Sequence, residues 1–133
     1  YPSILDAKTL KNKHILNDKN SKIVIKSLKV HHGSIKSICY IINKKCAYAP
    51  DVNYIDSKDL RYLKNLKYFI IDCLRYNFHP THFNLDDVLK LISKVKPQKA
   101  ILTNLSNEID YNEIKKKLPK NVIPAHDGLT VLI

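Results

Sequence analysis

A chain of 133 residues and 15.4 kDa is the size of one ordinary domain, and its 44% hydrophobic and 26% charged residues exclude wholesale disorder, collagen-like repeats and coiled coils. No apolar run approaches the ~18 residues of a membrane span, and Tyr1 to Lys8 lacks the pattern of a signal peptide, so a cytoplasmic location without membrane attachment is expected. The net charge of +11 raises nucleic acid as a partner, yet Arg61 and Arg75 are the only arginines among 23 basic residues, and the lysines are scattered through every segment; nucleic acid is an alternative, not the favoured reading.

Tyr1 to Ser21 is polar and weakly patterned, and reads as a lead-in. Lys22 to His31 and Ser34 to Asn43 alternate apolar and polar residues about Gly33, which predicts two strands joined by a turn, and Lys45 to Pro50 predicts a third, short strand. Ser57 is placed to cap a helix through Leu66, with Leu60, Leu63 and Leu66 on one stripe. Tyr68 to Leu74 is a continuous apolar run, the mark of a strand covered on both faces. Asn84 can cap a helix from Leu85 to Val95, Lys99 to Thr103 is a second buried strand, and Asp110 can cap a helix from Tyr111 to Leu118. Asn121 to Ala125 and Leu129 to Ile133 flank a turn at Asp127-Gly128. The expected fold is α/β, a mixed sheet with helices on one face. Cys39, Cys46 and Cys73 have no C-x-x-C spacing and sit in apolar segments, which points to buried free thiols. The chain has no methionine and starts on Tyr1, as expected for a piece of something longer or a processed product.

Residues of metal-binding type gather at strand ends and loops: His31-His32-Gly33, Asp51, and His79-Pro80-Thr81-His82. Singly, each also has an ordinary explanation as a solvated loop side chain or a turn former. In order, Lys29-Val30-His31-His32-Gly33, Ala47-Tyr48-Ala49-Pro50-Asp51-Val52, Asp72-Cys73-Leu74-Arg75-Tyr76 and His79-Pro80-Thr81-His82-Phe83-Asn84-Leu85-Asp86 resemble the later part of the metallo-β-lactamase superfamily. The likeness is nearest to the phosphoribosyl cyclic phosphate phosphodiesterase branch. Ala100 to Ser106, Asp110-Tyr111 and Pro124 to Leu129 carry it almost to the last residue.

The resemblance implies that residues 1–133 are a single partial domain, the C-terminal half of an αββα sandwich. It implies His32 as a metal ligand, Asp51 as a carboxylate bridging two ions, His82 as a general acid or phosphate contact, and His79 as its less certain neighbour. Zn or Mn is the expected cofactor of the complete family domain, and a small phosphodiester is the expected substrate once the site is assembled. Two features depart from the family pattern. The H-x-H-x-D-H motif is absent, and the late T-H-x-S-H motif reads Thr103-Asn104-Leu105-Ser106-Asn107, so Asn104 marks a degenerate ligand position; His126 is a conceivable substitute. Metal binding by this chain alone is therefore expected to be weak or absent, and the chain alone is expected to be inactive. Its partner would be an N-terminal half or a second copy. The rival reading is a non-catalytic, lysine-rich module that binds nucleic acid or an acidic protein.

Overall fold

Alternation in the first half of the chain and capped amphipathic segments in the second fold into one seven-stranded sheet with its helices on one side. The structure is a computed structural model that describes residues 9, 12–18 and 21–133. Its strands are β1 (Lys13–Asp18), β2 (Ser21–His32), β3 (Ile35–Ile42), β4 (Cys46–Ala49), β5 (Tyr68–Asp72), β6 (Lys99–Thr103) and β7 (Val122–Pro124). They lie side by side in chain order. β1 to β4 form an antiparallel meander, and β4 to β7 run parallel. Parallel neighbours need crossovers. A 3₁₀ turn at Ser57–Tyr62, helix α1 (Leu85–Val95) and helix α2 (Tyr111–Lys117) lie within the three crossovers.

Both helices start where their caps dictate. The Asn84 side chain accepts from the Asp87 N–H at 2.9 Å, and Asp110 accepts from the Glu113 N–H at 2.8 Å. α1 buries Val88, Leu91, Ile92 and Val95, with Leu85 and Leu89 partly covered. These join one sheet face, that of Val30, Cys39, Ala47, Phe69, Ile71, Ala100 and Leu102, in a single core. The three cysteines are free and buried, as expected.

The opposite parity of the same strands is less protected. Ile25, Ile38, Tyr40, Ile42, Ile70 and Ile123 are half-buried and Tyr48 is 39% exposed, while Cys46 and Ile101 on the same face are buried; none of them joins the core. Strand side chains alternate between faces, so these residues form one apolar stripe across the sheet.

Three segments differ from the sequence expectation. The stretch up to Ser21 contains β1, because Lys13–Asp18 pairs with β2 along its whole length, and Ser21 already begins β2; the remaining residues of that stretch, apart from Thr9 and Asn12, lie outside those described. Ser57–Tyr62 is a 3₁₀ turn rather than a helix through Leu66: Asp56 provides no side-chain cap, and Asn65 at φ 55° ends any helical run. Leu129 to Ile133 is not a strand.

Candidate metal centre

β2 and β4 point the same way, and β4 to β7 are parallel, so His32, Asp51, Asp72 and Asn104 all fall at one edge of the sheet, at or just past the C-terminal ends of their strands. Adjacent residues on a strand face opposite ways. This separates the two neighbouring histidines. His31 pairs with Asp56 at 3.3 Å and stands edge-on to the Tyr54 ring, whereas His32 turns toward the loop between β5 and α1.

That loop is held against the β2–β3 turn by two devices. Gly33 has φ +63°, and a Cβ there would stand 2.7 Å from Thr81 Cγ2, so only glycine permits both the turn and the close approach. Asn53 bridges the two segments: its Oδ1 accepts from the Gly33 N–H at 3.0 Å and its Nδ2 donates to the Pro80 carbonyl at 2.8 Å. His32 Nδ1–H then donates to the Thr81 carbonyl at 2.8 Å. The His32 and His82 rings meet edge to face, with centroids 4.6 Å apart.

His82 is oriented from below. Its Nδ1 lies 2.6 Å from Oδ2 of Asp72, which is fully buried at the end of β5. The same oxygen accepts from the Val52 N–H at 3.1 Å, and Oδ1 accepts from Asn104 Nδ2 at 3.2 Å. Burial pushes the Asp72 carboxyl above its ordinary range, and the bonds from Val52, His82 and Asn104 pull the other way. Asn104, the degenerate ligand position, thus acts here as a brace for Asp72.

His79 stands beside this pair, its ring centroid 5.1 Å from that of His82. Its Nδ1 accepts from the Thr81 N–H at 3.3 Å. It is held below the usual histidine range by burial and then by the positive charge of Arg75. A neutral imidazole whose Nδ1 is an acceptor carries its proton on Nε2.

His32, Asp51 and His82 each present a donor atom, and all three atoms lie within 4.8 Å of one another. The donor set fits a divalent ion. Both imidazoles have Nδ1 committed to an oxygen acceptor, which leaves Nε2 for a ligand, the arrangement usual for metal-binding histidines. With the Asp51 carboxylate the set is two nitrogens and an oxygen, which Zn²⁺ and Mn²⁺ both accept. His126 is not in this group; it is exposed and lines a cleft of about 320 Å³ with Asn104.

Two further features shape the site. The start of α1 offers less to an anion than a free helix end would, because the Leu85 N–H donates to the Arg75 carbonyl, the Asp87 N–H is capped, and Asp86 and Asp87 occupy the first turn. The sequence reading does not single out Asp72 or Asn53 as a site residue. A carboxylate inside the apolar run Tyr68 to Leu74 is a usable signal for Asp72, since unpaired acids are almost never fully buried; nothing local marks Asn53.

Residues 4–103 match the family described as beta-lactamase superfamily domain. Among solved structures, a diphosphatase from the PhnP family is 25% identical, with a TM-score of 0.84 over 93% of this chain and 47% of that one. The metallo-beta-lactamase fold protein YhfI from Bacillus subtilis is 15% identical, with a TM-score of 0.77 over 97% of this chain and 56% of that one. Zn(2+)-bound PqqB from Methylobacterium extorquens is 12% identical, with a TM-score of 0.72 over 95% of this chain and 55% of that one. The chain thus spans about half the length of these structures. No curated protein sequence matches it. Among the described residues no helix is long and apolar enough to cross a membrane. With a mixed sheet covered by helices on one face, its metal-type donors gathered at one sheet edge and three-quarters of its length inside the family match, this chain belongs to the beta-lactamase superfamily domain family and has the metallo-β-lactamase fold.

Proposed function

We propose that this chain supplies the C-terminal half of a metal-dependent phosphodiester hydrolase centre, with His32 and Asp51 as metal donors, His82 as general acid and His79 as a second imidazole on the substrate. The observation that carries this reading is the convergence of His32, Asp51 and His82 within 4.8 Å, with His82 fixed by a buried carboxylate. Zn²⁺ or Mn²⁺ held there would supply an acidic water and neutralise phosphate charge. The chain's own residues do the rest. Asp72 accepts from Nδ1–H and fixes the orientation of His82, so that in the doubly protonated ring Nε2–H is free to protonate a departing alkoxide. His79 Nε2–H donates to a phosphoryl oxygen without adding positive charge. The 25% identity to a PhnP-family diphosphatase supports a phosphorus ester or anhydride as the substrate class.

Two donors fall short of the three or four that hold zinc tightly, and the apolar stripe over β2 to β7 is a face that a second layer would cover. In this reading the covering layer and the missing ligands come together from an N-terminal half, and the 133-residue chain alone is inactive. Calorimetry with Zn²⁺ and Mn²⁺ tests it. A single site of about micromolar affinity is expected, abolished by His32→Ala and by Asp51→Asn, with bis(p-nitrophenyl) phosphate turnover at background. A nanomolar site, or metal-dependent turnover by this chain, would overturn the half-centre reading. His82→Ala should leave binding within about threefold of the parent, and a loss as large as that of His32→Ala would make His82 a ligand rather than the acid.

A further inference from the structure

Away from the metal-type residues, the other end of the sheet carries a cleft of about 670 Å³ on the helix-bearing side of β1 to β3. Val24, Ile41 and Leu66 line it with apolar surface, and Lys13, Lys26, Lys44, Arg61 and Lys64 surround them. No carboxylate lines it among the described residues, and none of the five cations makes an ion pair with a described acid. By contrast, Lys90 and Lys116 on the helices are each paired with an acid one turn away. Tyr62 concentrates the charge. Lys26 Nζ sits 3.1 Å above its ring centroid, the Arg61 guanidinium carbon 4.8 Å from it, and Arg61 Nη2 donates to the phenol oxygen at 2.9 Å. The same two cations hold the Tyr62 phenol below its ordinary range, first through hydrogen bonds to the phenol and then through their charge.

Five unneutralised cations around one concavity repel one another, and a multivalent anion relieves that repulsion while releasing its own counter-ions. We infer that this cleft is a binding site for a chain of phosphates, such as a stretch of single-stranded nucleic acid, separate from the metal-type centre. Lysines dominate it, which suits phosphates read as point charges rather than the planar, bidentate contacts that arginine makes to bases. Binding should therefore be insensitive to base sequence. The lysines that look scattered along the chain come together here because antiparallel pairing sets Lys13 opposite Lys26, and the β3–β4 turn and the segment after the 3₁₀ turn bring in Lys44 and Lys64.

The test is fluorescence anisotropy of a labelled dT12 oligomer with the full chain between 20 and 200 mM NaCl. For single strands the slope of log K on log salt is about −0.7 per phosphate neutralised, so engagement of all five cations sets a limit near −3.5. Lys26→Gln with Arg61→Gln should reduce the magnitude of the slope by about 1.4, and so should Lys44→Gln with Lys64→Gln, whose parent side chains are exposed and whose loss leaves the sheet intact. Lys90→Gln with Lys116→Gln removes the same net charge elsewhere and should leave the slope unchanged. Competition by inorganic tripolyphosphate separates the two sources: affinity that rises from dT6 to dT12 assigns the cleft to a nucleic-acid strand, and affinity independent of length with full displacement by tripolyphosphate assigns it to a small polyphosphate. No binding at 20 mM salt, or equal loss in all three double variants, would overturn the site.

Discussion

Replacing Asp72 separates the cost of burying its carboxylate from the work that carboxylate does. Oδ2 takes both the Val52 N–H and His82 Nδ1–H, while Oδ1 takes only Asn104 Nδ2. In Asp72→Asn the remaining oxygen can occupy the Oδ2 position and keep both donors, and the new amide can meet Asn104 once that side chain turns its oxygen inward. The variant loses the charge assistance of the His82 bond, about 1 kcal/mol. It also removes a carboxyl whose folded pKa lies above its unfolded value. A carboxyl raised in this way favours folding while protonated, and that advantage is lost as pH rises from the unfolded pKa toward the folded one, at up to ~1.4 kcal/mol per pH unit. Parent stability relative to Asp72→Asn should therefore fall with rising pH above about 4 and then level off, leaving the two within about 1 kcal/mol at pH 7.5. Asp72→Ala instead strands the Val52 and His82 donors, at about 1–3 kcal/mol each. Urea unfolding of the three proteins from pH 4 to 7.5, with ¹⁵N spectra of the His82 ring, reads both effects. Equal instability of Asp72→Asn and Asp72→Ala at pH 7.5, one pH slope shared by the parent and Asp72→Asn, or survival of the His82 tautomer in Asp72→Ala would refute this role for Asp72.

Gly33→Ala should cost about 1–3 kcal/mol from the left-handed backbone and the 2.7 Å contact with Thr81 Cγ2, and Thr81→Ser, which deletes that methyl, should restore part of the loss in a thermal melt. Burial pushes Cys39 and Cys73 up to about 12 from an unfolded value near 9.0, so native protein at pH 8 should not react with a disulfide reagent until it is unfolded. Because these thiols, and Cys46 which burial raises in the same direction, ionise earlier in the unfolded chain, stability should also fall above pH 9, by up to ~1.4 kcal/mol per pH unit for each thiol, a slope that Cys39→Ala should lessen in denaturant titrations. The open stripe should drive concentration-dependent association of the isolated chain; Tyr48→Lys with Ile70→Lys should return it to a monomer in sedimentation runs, and a parent that is monomeric at every concentration would show that the stripe needs no cover.

Local chemistry made much of this fold legible in advance. Asn84 and Asp110 announce α1 and α2 because a cap acts within one turn of itself, and Lys99–Thr103 is apolar enough to declare a buried strand. His32, Asp51 and His82 are picked out by the resemblance of the short motifs around them, and their places at strand ends and loops agree with where α/β sheets bind ligands. What tertiary structure alone decided depends on segments distant in sequence. Lys13–Asp18 is a strand because β2 offers it an edge, not because its own residues alternate, and Ser57–Tyr62 stops short of a helix although its leucines have helical spacing. The basic cleft exists because pairing and turns gather lysines that composition shows only as scattered. Asp72 matters because Val52, His82 and Asn104 all reach it, from positions 10 to 32 residues away. A buried carboxylate gains its partners only when the chain closes around it, so its role is a property of the folded contacts and of no single stretch of sequence.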